Sequence, residues 1–195
     1  FSKNFIIKKI ISFEASPINF EFLKKKIDEN KQENNNTEIV LENIALGAEN
    51  KIIEFNQFNE SSSSTIKDIN KESKYYKRKF RLINFLNNKK TFQKIKIKVL
   101  KLKDYIEKNN IKKIDFIKID TEGYEFEILL GLENKIKLVD IIMFEHHYDN
   151  MIKKGYTFEN INKLLIKNNF NKIYKSRMPF RKTFEYIYKR EESIN

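Results

Sequence analysis

The sequence predicts an α/β fold built on a mostly parallel sheet that ends in an antiparallel strand pair. Three observations carry this. Short β-branched runs alternate with segments whose apolar residues recur at helical spacing, the pattern of a parallel sheet covered on both faces. One stretch, Ile114 to Leu132, places a buried strand and a helix back to back, with Asp120-Thr121-Glu122-Gly123 between them. Tyr174 and the run Phe184 to Tyr188 suggest the closing antiparallel pair.

Taken in order, Phe5, Ile6, Ile10 and Ile11 lead into Ser12-Phe13-Glu14, so residues 9 to 13 read as a buried strand with Glu14 at its carboxyl end. Ser16 before Pro17 is a helix start, a hydroxyl N-cap followed by proline at the first helical position; such a cap is typically worth about 1 kcal/mol. Phe20, Leu23 and Ile27 then share one helix face. After the polar linker Lys31 to Asn36, Ile39, Leu41 and Ile44 give the next strand, and Ala45-Leu46-Gly47-Ala48 is expected to turn the chain. Lys51 to Phe58 reads as an added strand and Ser61 to Thr65 as a polar loop. Residues 67 to 92, with Tyr75, Tyr76, Phe80 and Phe85, fit no element of a minimal fold; within an insertion of about 60–92 they read as a surface addition or a lid over a substrate.

Lys94 to Leu102 alternates apolar and basic residues and is a half-buried strand, after which Asp104 is expected to cap a helix. In the central stretch, Ile114, Phe116, Ile117 and Ile119 form the strand, Phe126, Leu129 and Leu130 the helix, and Gly131 its C-cap. Val139 to Phe144 is a further buried strand ending in Glu145-His146-His147. Thr157 then caps a helix carrying Phe158, Ile161, Leu164 and Leu165. There is no internal repeat.

The wording of the central stretch is more specific than its pattern. Phe116-Ile117-Lys118-Ile119-Asp120-Thr121-Glu122-Gly123-Tyr124-Glu125, with Leu129-Leu130-Gly131 after it, resembles the signature of the FkbM family of S-adenosylmethionine-dependent methyltransferases. That signature typically reads lysine, apolar, aspartate, x, glutamate, glycine, x, glutamate and ends in leucine, x, glycine. Phe13-Glu14-Ala15-Ser16-Pro17 is similar to the family's phenylalanine, glutamate, x, x, proline segment. Ala45-Leu46-Gly47 is similar to its small, leucine, glycine turn. Leu102-Lys103-Asp104 resembles the leucine, aspartate, aspartate segment, with Lys103 in place of the first acid.

The resemblance implies a Rossmann-like class I methyltransferase sheet and S-adenosylmethionine as cofactor. A carboxylate after a strand is also where nucleoside cofactors have their ribose hydroxyls accepted, which makes Glu14 the ribose candidate. Asn43, Ala45 and Leu46 form a second cofactor segment, beside the adenine in the family, and Asp120 a third. The family's first strand and glycine-rich turn precede the segment matching Phe5 to Glu14, and this chain has neither, so the first strand is expected to be missing. The reading is a single methyltransferase domain over residues 1–195, incomplete at its amino end, which is expected to fold poorly alone and to bind cofactor weakly.

Composition bounds the alternatives. At 195 residues with 40% hydrophobic residues the chain suits one domain with a proper core. It contains no Cys, which removes disulfides, thiolate zinc sites and thiol nucleophiles. No Gly-x-Ser-x-Gly elbow occurs, and the four glycines are too scattered for a phosphate-binding loop. No apolar run approaches the roughly 20 residues that span a bilayer, and no signal-peptide pattern opens the chain, so a soluble, cytoplasmic protein is expected. The net charge of +12 invites a nucleic-acid reading, yet Lys is spread evenly among Asn and Ile, as in an A- and T-rich coding sequence; nucleic acid is therefore the minor reading.

In a methyltransferase most of the rate comes from holding acceptor and donor in line. For a hydroxyl on a small molecule or glycan, a general base adds about 10²- to 10⁴-fold. Asp120, Glu122, Glu145 and His146, at the carboxyl ends of neighbouring strands, are the candidates. Asp120 has the competing role of helix cap, Glu122 that of dipole partner, and Lys118 that of partner to a nearby carboxylate. The same acids with His146 or His147 form an alternative set of metal ligands, although adjacent histidines on a strand face opposite sides and only one can join. An RNA-binding or RNA-modifying protein, and a non-catalytic relative that lost its cofactor loop, remain as readings from other classes.

Overall fold

Strand β1 (Lys9–Phe13) and strand β2 (Glu38–Glu42) lie parallel, Lys9 opposite Glu38 and Phe13 opposite Glu42. Between them runs helix α1 (Pro17–Glu29), capped as the sequence predicts: Ser16 Oγ accepts the Asn19 N–H at 3.3 Å and Pro17 fills the first turn. The same hydroxyl, almost fully buried, donates to Gln57 Oε1 at 3.1 Å. This computed structural model describes residues 6–30, 37–58, 92–121, 123–148, 154–179 and 182–191. The linker 31–36, the Ser61–Ser64 run, nearly all of the expected insertion and Glu122 lie outside the described residues.

The expected turn at Ala45 to Ala48 is instead a strand with a turn after it. Ala45–Leu46 forms β3, parallel to Val99 and Leu100 of strand β5 (Phe92–Leu100), and the Gly47 N–H extends the ladder to the Leu100 carbonyl at 3.1 Å. The bend falls at Ala48 and Glu49, and strand β4 (Lys51–Phe58) returns antiparallel to β5, Lys51 opposite Val99. Long-range pairing, invisible to a local reading, thus takes residues whose own chemistry suggests a turn. Ala45, Phe55, Ile97 and Val99 form a small buried cluster in this sheet.

Helix α2 (Leu102–Lys108) follows β5. Asp104 does not cap it. Lys101 holds the N-cap position without a side-chain bond, and Asp104 accepts from Asn50 Nδ2 at 2.5 Å, because the β3–β4 turn brings Asn50 alongside. Strand β6 (Ile114–Ile119) pairs in parallel with β7 (Val139–His147), and helix α3 (Glu125–Leu130) and a 3-10 helix (Glu133–Leu138) connect them. Helix α4 (Phe158–Lys167) follows, its start fastened by Asn160 Oδ1, which accepts the Thr157 N–H at 2.8 Å. Strands β8 (Phe170–Arg177) and β9 (Thr183–Arg190) are the predicted closing pair, β9 lying antiparallel to β7.

The described strands form three sheets, β1-β2, β3-β5-β4 and β6-β7-β9-β8, with as many antiparallel as parallel pairings. The architecture is mixed α/β, and the expectation of one mostly parallel sheet is corrected to that extent. The main core lies on one face of the four-stranded sheet, where Ile119, Ile142, Phe144, Tyr186 and Tyr188 meet Ile106 of α2, Leu129 of α3, and Ile161 and Leu165 of α4. Each such side chain contributes about 1.5–3 kcal/mol. Ile11 and Phe13 of β1, Leu46 of β3 and Leu100 of β5 pack against the same cluster, so it is shared by all three sheets. Phe13 meets Tyr105 of α2 edge-on, ring centroids 4.8 Å apart.

Glycine is required at Gly131 by space. A Cβ there would lie 2.1 Å from the Gly47 carbonyl oxygen, and Gly131 has an ordinary helical φ of −68°. Its own carbonyl accepts the Lys103 N–H at 2.9 Å, so the end of α3 locks onto both β3 and α2.

Candidate functional site

Two strand ends carry the predicted acids. At the end of β1 the Glu14 N–H bonds the Glu42 carbonyl at 3.0 Å, continuing the ladder past the strand. Its carboxylate accepts the Ser16 N–H at 2.8 Å, which fixes the side chain over the start of α1. Burial pushes this carboxyl up, against hydrogen bonds from Ser16, Asn19 and Ala15 that favour the charged form. Asn43 stands beside it, its Nδ2 donating to the Glu14 carbonyl at 2.8 Å. Glu14 and Asn43 are therefore brought together, while Ala45, buried, and Leu46 belong to β3.

At the end of β6, Asp120 is exposed and pairs with Lys118 Nζ at 2.9 Å. The competing role of helix cap does not occur: Tyr124 holds the N-cap position of α3, with no side-chain bond. Lys118 is raised by the Asp120 hydrogen bond, and the charges of Glu145 and Glu185 act in the same direction. The register places Lys118 opposite Met143 and Glu145 opposite Glu185, so Lys118, Asp120 and Glu145 share one face of the sheet. The hydroxyl of Thr121, next to Asp120, is buried with no hydrogen-bond partner among the described residues.

His146 belongs to the opposite face, with Phe144 and Phe184. It is 3% exposed, and its Nδ1 has no partner among the described residues. Burial, with the positive charge of Lys154 and the neighbouring His147, pushes it down to about 3, so it stays neutral at any ordinary pH. Tyr148 meets its ring edge-on at 4.9 Å, and Tyr156 and Phe158 lie 6.0 and 5.9 Å away. His147 faces the other side, as the alternation predicts, with Nδ1 2.9 Å from Thr183 Oγ1. Among the described residues no three His, Asp or Glu side chains converge as a metal-binding group. No described helix is long and apolar enough to cross a membrane.

Sequence reasoning missed Glu125. It stands in the first turn of α3, where an acid reads as a solvated dipole partner, yet it is fully buried. One oxygen accepts the Gly123 N–H at 3.0 Å and the other accepts the Tyr156 hydroxyl. Burial pushes the carboxyl up to about 7, opposed by Tyr156, by the Glu125 and Gly123 N–H groups and by Lys154. The signal available was its place in the motif, two residues after Gly123; nothing marks Tyr156 in the sequence.

Against the family models, the Methyltransferase FkbM domain matches residues 2–174. Neither a curated protein nor a solved structure matches the chain.

Proposed function

The chain belongs to the FkbM methyltransferase family, and from that membership we propose that it methylates a hydroxyl on a small molecule or glycan with S-adenosylmethionine as donor. The observation that carries the proposal is that two strands within the matched region end in acids, β1, parallel to β2, at Glu14 and β6, parallel to β7, at Asp120. Their chemistry fits the cofactor. A carboxylate held by the Ser16 N–H suits a ribose diol, and the Thr121 hydroxyl beside Asp120, without a partner among the described residues, suits a polar ligand at the end of β6. Asn43, Ala45 and Leu46 would flank the adenine side. When bound, S-adenosylmethionine supplies an electrophilic methyl group on a sulfonium.

The chain's own residues then orient the acceptor and take its proton. Asp120 is the preferred base: it is exposed at the strand end, and its pairing with Lys118 at 2.9 Å holds the carboxylate in place. Glu122 and Glu145 are its acidic neighbours in this reading. His146 serves as a neutral hydrogen-bond acceptor at Nδ1, since its burial disfavours taking a proton.

Among the described residues β1 pairs only with β2 and β6 only with β7, and both sheets pack on one core. We therefore propose that the strand joining them is the family's first strand, supplied from outside the described residues, which would complete a Rossmann-like sheet. The test is calorimetric titration of S-adenosylmethionine into the chain and into the product extended by the upstream coding sequence. The extended protein is expected to bind tightly and this chain weakly. A cooperative thermal transition with micromolar affinity in the 195-residue chain alone would refute the missing strand, and no binding to either would refute the cofactor.

A further inference from the structure

A fully buried carboxyl needs compensation, and Glu125 finds it in two donors from different parts of the chain. The first is the Gly123 N–H. Gly123 closes the acidic turn after β6 at a φ of +83°, a conformation L side chains rarely adopt, and its N–H also reaches the Thr121 carbonyl at 2.6 Å. The second is the Tyr156 hydroxyl. Its ring lies 5.3 Å from Phe126 of α3 and 6.0 Å from His146 of β7, just ahead of α4. Lys154, two residues earlier, donates to the His147 carbonyl. The 154–156 segment is thus fastened to the end of β7 by Lys154 and to the acidic turn by Tyr156.

We propose that Tyr156 and Glu125 form a latch by which the 154–156 segment sets the position of Gly123, behind Asp120 and Thr121, for methyl transfer, with Glu125 as a positioning residue. The use of the turn in methyl transfer rests on the function proposed above; the latch itself rests on the contacts of Glu125. The Gly123 N–H can only donate, so Glu125 must accept there, whereas the Tyr156 hydroxyl donates to the carboxylate and can turn to accept from a protonated acid or from glutamine. Without Tyr156, Glu125 would still hold Gly123 but would no longer tie it to β7. The ionisable groups around the latch are Tyr156, Lys154 and Glu127, with His146 behind the Tyr156 ring. Tyr156 and Lys154 both favour the charged carboxylate.

The chain has four glycines, so glycine-selective ¹⁵N labelling gives four amide resonances and isolates Gly123 by substitution. In the wild type the Gly123 amide is expected to follow Glu125 with a midpoint near 7. Tyr156→Phe removes a donor to the carboxylate, so the midpoint is expected to rise by about one pH unit. Glu125→Gln is expected to abolish the titration while keeping the fold. In parallel, S-adenosylhomocysteine affinity is measured where circular dichroism shows the Tyr156→Phe protein fully folded. Displacement of Gly123 that costs the ligand one hydrogen bond at this strand end predicts a Kd about 10-fold weaker. A purely structural tyrosine would lower the melting temperature and leave both the Gly123 midpoint and the Kd unchanged, which would overturn the proposal. A wild type that binds no S-adenosylhomocysteine would overturn the methyl-transfer role, while the Gly123 titration would still decide whether the latch holds the turn.

Discussion

Replacing Glu125 by Gln tests the central feature of the site through stability alone. The carboxyl is fully buried and its burial raises it from 4.5 to about 7, so the folded chain keeps a proton that the unfolded chain releases. A raised folded value means that the group's contribution is fully present below pH 4.5 and is lost as pH rises toward 7. The whole loss is on the order of 3 kcal/mol, with about 2.5 kcal/mol of it between pH 5 and pH 8. Glutamine has no such titration and resembles the protonated acid in shape. His146 works in the opposite sense, its lowered value removing stability as pH falls below about 6.5. It is common to both proteins and cancels in their difference. Urea unfolding of wild type and Glu125→Gln at pH 5 and pH 8 is therefore expected to show the variant gaining about 2–3 kcal/mol on the wild type at the higher pH. A gap that stays constant within about 0.5 kcal/mol would mean that Glu125 is solvated or fully compensated, and the buried-acid argument would be wrong.

Three further outcomes follow from the geometry. Gly131→Ala places a methyl 2.1 Å from the Gly47 carbonyl oxygen and is expected to destabilise by about 1–3 kcal/mol, read as a lower thermal midpoint; an unchanged midpoint would refute the close approach of α3 to β3. Ser16→Ala removes the α1 cap and strips a buried partner from Gln57, so its cost in urea unfolding should exceed the roughly 1 kcal/mol of a cap alone, and a smaller cost would show the Gln57 bond to be idle. Glu14→Gln and Asp120→Asn should each weaken S-adenosylmethionine binding about 10-fold or more in calorimetry, and wild-type affinity in both would refute the cofactor assignment.

The sequence was most legible where local chemistry and tertiary structure agree. The Ser16-Pro17 start of α1, the β6 strand with Asp120 at its end, and the split of His146 from His147 all follow from spacing and capping rules, and all are found. It was least legible where a distant partner decides. Ala45 and Leu46 carry turn-like neighbours, yet β5 supplies a ladder edge that makes them a strand. Asp104 reads as a cap in the sequence, but the helix begins earlier, behind Lys101, and Asn50 arrives from another turn and donates to the Asp104 carboxylate. Glu125 is the extreme case. An acid in the first turn of a helix is ordinarily solvated, and only the arrival of Tyr156, 31 residues later in the chain, reverses that.

Under the proposed methylation of a hydroxyl, the same sheet geometry narrows which group can take a proton from the acceptor. Residues two apart on a strand share a face, so Asp120 stands with Lys118 on the face that β7 extends through Glu145, while His146 is turned to the other. The two faces differ electrostatically. Beside Lys118 the Asp120 carboxylate is ion-paired and open to water. Around His146 the rings of Tyr148, Tyr156 and Phe158 exclude water, and Lys154 adds a positive charge that an imidazolium would oppose. A proton delivered to His146 would be held only weakly, and its path out would cross an aromatic cluster. In the hydroxyl methylation proposed above, the acceptor's proton is therefore assigned to the Asp120 face. Nδ1 of His146, neutral and unpartnered among the described residues, is suited to orienting a donor group and unsuited to accepting charge.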